Sequence, residues 1–413
     1  RIAAVLKTFY LAQHPTDEIE RWGRIDRLRI STDENFRQTR DFIGQTLSRP
    51  AFDTIRHFTN HFYTRHRPLF AARIKEHRIR DCHGDLHLEH IHITPRTLNI
   101  YDCIEFNDRF RYVDVANDVA FLAMDLDYEG RPDLARHFAD RMAGALKDGG
   151  MPQLMDFYKC YRAYVRGKVE SLQSVAHAAP EDERQASGER ARRYFRLALN
   201  YAVAGSQPVA LAVMGRIASG KSTLARALGA ELGWEVYSSD YVRKKTAGFP
   251  LYERRMASAR KRLYSAAMTK KTYDRLLRTA EEQLEKGHSV ILDATFARRE
   301  HREMLARRMK NDGHDWVVLE ALASSAVVKK RLRAREARSD EISDARLEDF
   351  AMLTGLYEAP DELPSEQHVS VRTTEPLDQT VSRALQGLVR LQLKPSRPSA
   401  RATPTKQNQK ASR

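Results

Sequence analysis

Residues 214–224 read MGRIASGKSTL, and the spacing G-x-x-x-x-G-K-S within them is suited to gripping phosphate. Gly215 and Gly220 free the backbone to wrap around Ser219, so that successive N–H groups converge on phosphate oxygens. Lys221 brings a positive charge to the β- and γ-phosphates, and the Ser222 hydroxyl is a ligand for Mg2+. Thr223 continues the opening turn of a helix whose N-terminus adds partial positive charge. The residues imply ATP and Mg2+ as cofactors. Further on, Asp240 in YSSDYVRKK follows a β-type run, where it can accept a proton from an attacking hydroxyl, and Arg243 can hold an anionic acceptor. Asp240 also suits a helix cap. Asp293 in VILDATF ends an apolar run and is the second carboxylate for Mg2+ or its water. In KKRLRAREARSD, Arg331 and Arg335 share a helix face at i, i+4, with Arg338 beyond them. On a mobile lid such arginines neutralise a transferring phosphoryl group, although a solvated basic face has the same pattern.

A second stretch, DCHGDLHLEHIHI (81–93), holds four histidines and two aspartates. His83, His87, His90 and His92 have the chemistry to ligate zinc, and on a helix His83 and His87 would share a face. Gly84 and the turn residues PRT, between HIHIT and LNIYDCIEF, argue instead for a loop leading into a β-hairpin.

The elements that must position these residues differ between the two halves. Residues 1 to about 80 show apolar spacings of three and four and predict helices, as do VDVANDVAFLAMDL, DLARHFADRMAGAL and LMDFYKCYRAYVRGKVESL. From Val209 the strand-like runs VALAVM, WEVYSS, HSVILDA and DWVVLEAL alternate with helical patterns. That alternation predicts an α/β, doubly wound parallel sheet covered on both faces. GSQP punctuates the chain before it. The expected domains are 1–205, 206–392 and a low-complexity basic tail, 393–413, with no fixed structure.

On these motifs, residues 209–391 resemble the small P-loop kinases related to gluconate kinase, polynucleotide kinase and zeta-type toxins. SSDYVRK is similar to that group's acceptor motif, LDATF to its second carboxylate and RLRAR to its lid. HGDLHLEH, the hairpin and YDCIEF resemble the carboxyl-terminal lobe of aminoglycoside phosphotransferases, a protein-kinase-like fold, from about Asn35 to Leu172. That resemblance implies that Asp85 is a base, that Asp102 coordinates Mg2+ and that Asp118 braces the loop. The family has a metal-binding Asn where this chain has His90. No glycine-rich loop or Val-Ala-x-Lys strand precedes the helical residues, so the alternatives are a fragment lacking its start or a degenerate lobe. The order of the two halves resembles a bacterial fusion of such a lobe with a P-loop kinase or ATPase.

The chain has 413 residues, of which 42% are hydrophobic and 30% charged, enough to bury a core in two domains. Three widely spaced cysteines argue against a disulfide framework and for a reducing, cytoplasmic setting. No apolar run approaches the roughly 20 residues that span a bilayer. The net charge of +15 raises nucleic acid as a partner, but no basic patch with interleaved aromatics accompanies it. The expectation is a kinase acting on a small-molecule acceptor. The alternatives are a nucleotide-regulated scaffold without catalysis and a nucleic-acid 5′-hydroxyl kinase.

Overall fold

The computed structural model describes residues 1–251, 262–336 and 347–393, apart from the side chains of residues 335, 336 and 349. Arg338 and the tail from residue 394 lie outside them. The chain divides into two compact units. The first is Arg1–Gln207 with Arg226–Trp234 and Glu375–Gln392; the second is built on Pro208–Ala225 and Glu235–Thr374. The sequence suggested one cut at residue 205, whereas 226–234 and 375–392 return to the first unit. For the helix Leu377–Gln392 the reason is its apolar stripe. Val381, Ala384, Leu385, Leu388 and Val389 are buried, and the helix packs on Arg49–Arg65 and Glu181–Val203.

The first unit is mainly helical, as its 3.6-residue spacing predicts. Its central helix, Val115–Tyr128, is buried from Val115 to Asp125 and therefore apolar almost all round. The Asp114 carboxylate caps it by accepting from the Ala116 amide at 2.8 Å. The same carboxylate binds the fully buried Arg73 guanidinium through two bonds of 2.6 and 2.8 Å, and Asp148 takes a third guanidinium N–H. Two long helices, Met151–Ser174 and Glu181–Val203, pack together. Gly167 allows the contact, since a Cβ there would lie 2.9 Å from the Phe195 ring.

Two small antiparallel pairs complete the unit. Strand β1 (Ile79–Asp81) pairs with β4 (Tyr112–Asp114), a contact the sequence pattern did not reveal. The predicted hairpin is β2 (Ile91–Ile93) with β3 (Leu98–Ile100), in the register His92↔Asn99.

The second unit is a five-stranded parallel sheet in the order β6-β7-β5-β8-β9. Its strands are β5 (Val209–Met214), β6 (Glu235–Ser238), β7 (Val290–Asp293), β8 (Asp315–Leu322) and β9 (His368–Arg372). The first four fall on the predicted runs. The fifth, HVSVR, alternates buried and exposed residues as an edge strand does. Every residue of β5 is buried, as expected of a central strand with helices on both faces.

Candidate functional site

Parallel register decides what meets at the carboxyl edge of the second unit's sheet. Val213 of β5 lies opposite Asp293 of β7, and Asp293 lies opposite Ser238 of β6. The loop after β5, the carboxylate ending β7 and the helix after β6 therefore emerge side by side, at the position where open α/β sheets bind ligands. The loop has the geometry its glycines predict. Gly215 and Gly220 have φ of +147° and +95°, and Ala218 joins them at +52°. A Cβ on Gly215 would meet the Ala321 carbonyl at 2.6 Å, so the backbone must run bare there. The helix Lys221–Leu232 begins at once, and its first-turn amides lack intrahelical acceptors. Lys221 and Ser222 are half-buried, Thr223 is exposed, and the Ser219 hydroxyl is buried without a partner among the described residues.

This cradle fits a polyphosphate: bare backbone, helix N-terminus, a lysine and an orphaned buried hydroxyl in one turn. The oxygen donors of Ser222 and Asp293 are the hard ligands that Mg2+ prefers.

Asp240 lies in the first turn of the helix Ser239–Thr246, while Ser238 takes the capping position. Its carboxylate is half-buried and accepts no hydrogen bond from the described residues. Arg243 is engaged within the fold through one guanidinium nitrogen. It is buried, with its guanidinium on the Leu263 carbonyl at 3.2 Å, on the Thr269 hydroxyl at 3.1 Å and over the Tyr264 ring. The expectation that it holds an acceptor anion is corrected to a packing role between helices.

Arg331 also departs from expectation. Its guanidinium donates to the Ser219 carbonyl at 2.9 Å, to the Thr373 hydroxyl at 3.0 Å and to the Thr373 carbonyl at 2.5 Å. These bonds tie it to a carbonyl of the phosphate loop and to Thr373, which supports a bracing role in place of the closing one expected. The side chain of Arg335 lies outside the described residues.

Several supporting residues carried no local signal. Thr373 joins Arg331 by donating its hydroxyl to the Ser219 carbonyl. The Tyr273 hydroxyl accepts from the Phe296 amide at 3.0 Å and lies 3.4 Å from Thr295, whose carbonyl takes the Gly215 amide at 3.3 Å. Burial raises the Tyr273 phenol above its ordinary value and keeps it neutral. Arg302, buried, ties the Phe296 carbonyl at 2.9 Å to Glu362. Such contacts join positions tens of residues apart, which local pattern cannot report.

The first unit gathers its chemistry on the loop before β2. Asp118 is fully buried on the central helix and accepts the His83 and Gly84 amides, both at 3.0 Å, and the Tyr10 hydroxyl at 2.8 Å. Arg162 holds the other side, donating to the Gly84 carbonyl at 3.0 Å and to Asn117 at 2.7 Å. Gly84 is required at φ +82°, where a Cβ would lie 2.8 Å from the Phe110 carbonyl.

On this braced turn, Asp85, His87 and His90 converge, one ligand atom of each lying within 4.8 Å of the other two. Asp102 joins from the irregular segment after β3, its Oδ2 3.3 Å from His90 Nε2. It is exposed and has φ +62°, an unusual conformation for a residue with a side chain. Burial pushes the Asp85 carboxyl up, but His87, Arg162 and His90 outweigh it and hold it below the usual carboxylate range. His83 and His92 do not join. His83 donates Nε2–H to the Tyr101 carbonyl at 2.9 Å and accepts the Asp85 amide at Nδ1, and His92 is exposed on the hairpin.

A family model described as an AAA domain matches residues 211–360. The uncharacterized protein Rv2004c of Mycobacterium tuberculosis is 34% identical over 352 residues, which is 85% of this chain and 69% of that protein. An uncharacterized protein of Mycobacterium bovis matches with the same identity and coverage. Among solved structures, a gluconokinase from Sinorhizobium meliloti is similar at 20% identity over 45% of this chain and 93% of that one, with a TM-score of 0.31. The APS kinase of Mycobacterium tuberculosis is similar at 19% identity over 44% and 97%, with a TM-score of 0.33. No described helix is long and apolar enough to cross a membrane.

Proposed function

This chain belongs to the family of the mycobacterial protein Rv2004c, and from its second unit we propose an ATP- and Mg2+-dependent kinase that phosphorylates a hydroxyl of a small-molecule acceptor. One observation carries the reading: the parallel register that brings the Gly215–Gly220 loop, Asp293 and the Asp240 helix to one edge of the sheet. Loop amides and Lys221 grip the β- and γ-phosphates, and Ser222 with Asp293 holds the metal, whose charge offsets that of the phosphates. Asp240 takes the proton of the acceptor hydroxyl. The acceptor oxygen bonds to the γ-phosphorus as the bond to the β,γ-bridging oxygen breaks, and ADP leaves. Arg331 and Thr373 keep the loop in its wrapped form.

The experiment is a screen of sugars, sugar acids, aminoglycosides and oligonucleotides for acceptor-dependent ADP formation. The reading requires turnover with at least one acceptor and its loss in Lys221→Ala. ADP release by that variant at the parent rate removes the assignment. Turnover only with oligonucleotides turns the reading to a 5′-hydroxyl kinase. For the first unit the proposal is kinship of fold with a phosphotransferase carboxyl-terminal lobe, supported by Asp118 beneath the His83–Gly84 turn.

A further inference from the structure

Beyond the nucleotide site, the loop of the first unit is furnished for a different kind of ligand. Asp85, His87 and His90 offer one carboxylate and two imidazoles within 4.8 Å, and Asp102 lies against His90. We propose that this cluster binds a borderline divalent transition ion of the Zn2+ class, with His87 and His90 as nitrogen ligands and Asp85 and Asp102 as oxygen ligands.

Three observations lead there. The first is tautomeric. The His90 Nδ1 nitrogen lies 2.9 Å from the Asp85 main-chain carbonyl, which can only accept, so Nδ1 carries the proton. The other ring nitrogen, Nε2, faces the Asp102 carboxylate at 3.3 Å. Either a proton on Nε2 or a metal ion closes that gap, and the metal titration below tells the two apart.

The second is spacing. In a tetrahedral site with bonds of about 2.1 Å, neighbouring ligand atoms lie roughly 3.4 Å apart. His87 Nε2 to Asp85 Oδ2 is 3.4 Å, and His90 Nε2 to Asp102 Oδ2 is 3.3 Å. The wider separations contract by rotation of Asp85 and Asp102, the two more exposed members.

The third is outer support. His87 is buried, so the surrounding packing fixes its ring. The loop beneath is fixed by Asp118 and Arg162, so the backbone that carries Asp85, His87 and His90 is set before any ion arrives.

The donor set names the class of ion. Imidazole nitrogens favour Zn2+, Co2+ or Ni2+, whereas Mg2+ and Ca2+ prefer an all-oxygen shell. His83 and His92 are excluded, the first by its two hydrogen bonds and the second by its place on the hairpin. An ion here occupies the Asp85 oxygen that a general base would need, so the cluster binds metal instead of activating a hydroxyl.

The test uses the full chain, stripped with chelator, titrated with Zn2+ against a chromophoric chelator and separately with Co2+. Expected are one tight Zn2+ site, a visible Co2+ spectrum of tetrahedral intensity, and no displacement by a large excess of Mg2+. His87→Ala and His90→Ala each weaken Zn2+ at least about tenfold, while His92→Ala leaves it unchanged. Because His87 is buried, Asp102→Asn supplies a surface variant whose fold is not at risk; it weakens Zn2+ and alters the Co2+ spectrum. Parent-like binding in His90→Ala and Asp102→Asn, or displacement by equimolar Mg2+, overturns the proposal.

Discussion

The two units build their clusters from opposite materials. In the second, the proposed ligand-facing atoms are mostly backbone amides of one short loop, with Lys221 and Ser222 at its end and Asp293 supplied by a neighbouring strand. In the first, they are side chains, three from one turn and Asp102 from beyond a hairpin. A backbone cradle is written in consecutive residues and needs only glycines and a helix start. A side-chain cluster exists only after Asp118, 34 residues away, and Arg162, 78 residues away, have fixed the turn that carries it. The first kind of site survives changes around it; the second depends on its supports.

The largest expected effect strikes the backbone site alone. Lys221→Ala lowers acceptor-dependent ATP turnover by about 10²- to 10³-fold or more, the usual cost of removing one preorganised charge-stabilising group. Zn2+ binding by the same variant stays at the parent level. Loss of both activities would break the distinction between independent sites.

Next in size is removal of the first unit's support. Asp118→Ala strands the His83 and Gly84 amides and the Tyr10 hydroxyl in a buried place, at about 3–5 kcal/mol. Burial, followed by the Asp118 charge, already pushes the Tyr10 phenol well up, so it remains a neutral donor to that carboxylate. Denaturant unfolding reads the loss, and Zn2+ affinity falls with it. An Asp118→Ala protein as stable as the parent would show that the turn stands without its brace.

Arg331 separates a brace from a catalytic arginine. A brace acts on the free loop, so Arg331→Ala raises KM for ATP about tenfold and leaves kcat within a few-fold. Lysine does not rescue it, since one ammonium cannot reproduce a fork spread over Ser219 and Thr373. A 10³-fold fall in kcat with KM unchanged would restore the arginine to the transferring phosphate.

The legible part of the molecule follows the same division. The runs of β5, β7 and β8 became strands because parallel, covered strands are continuous hydrophobic segments, whereas β6, an edge strand, was legible from its β-prone Val and Tyr. HVSVR carries no continuous apolar run, because its buried and exposed residues alternate. The tight turns at Gly215 and Gly220 were readable to the residue, as was the β2–β3 hairpin with its turn. The fates of Arg243 and Arg331 were not, because a basic residue on a helix reads the same whether it meets solvent, a ligand or a carbonyl 112 residues away. In DCHGDLHLEHIHI the types announced a metal or catalytic loop, but which histidines point inward was set by the Tyr101 carbonyl and by the hairpin register. The pairing of β1 with β4 joins segments 31 to 35 residues apart, and IRD and YVD are too short and too polar to announce strands.

The smallest effect is a pH slope in the first unit, and it contrasts His57 with the histidines of the proposed metal site. His87 and His90 face carboxylates, whereas His57 on the helix Arg49–Arg65 faces none. Its Nε2 is buried without a hydrogen-bond partner among the described residues, and its ring lies 3.9 Å from that of His61. Burial, then the nearby His61 and Arg390, lowers its pKa to about 4. A histidine whose folded pKa is depressed costs stability in acid. Above pH 6.5 both folded and unfolded chains hold it neutral. As pH falls below 6.5 the unfolded chain gains a proton that the fold refuses, and the loss grows until about pH 4. Because the ring is only half-buried, solvent screening holds the effect to about 1 kcal/mol. His57→Phe keeps an aromatic ring and removes the proton. Urea unfolding at pH 7.5, 6 and 5 should therefore show a shallower decline in that variant than in the parent. Equal slopes would mean that the site opens to water and that the parent's acid sensitivity originates elsewhere.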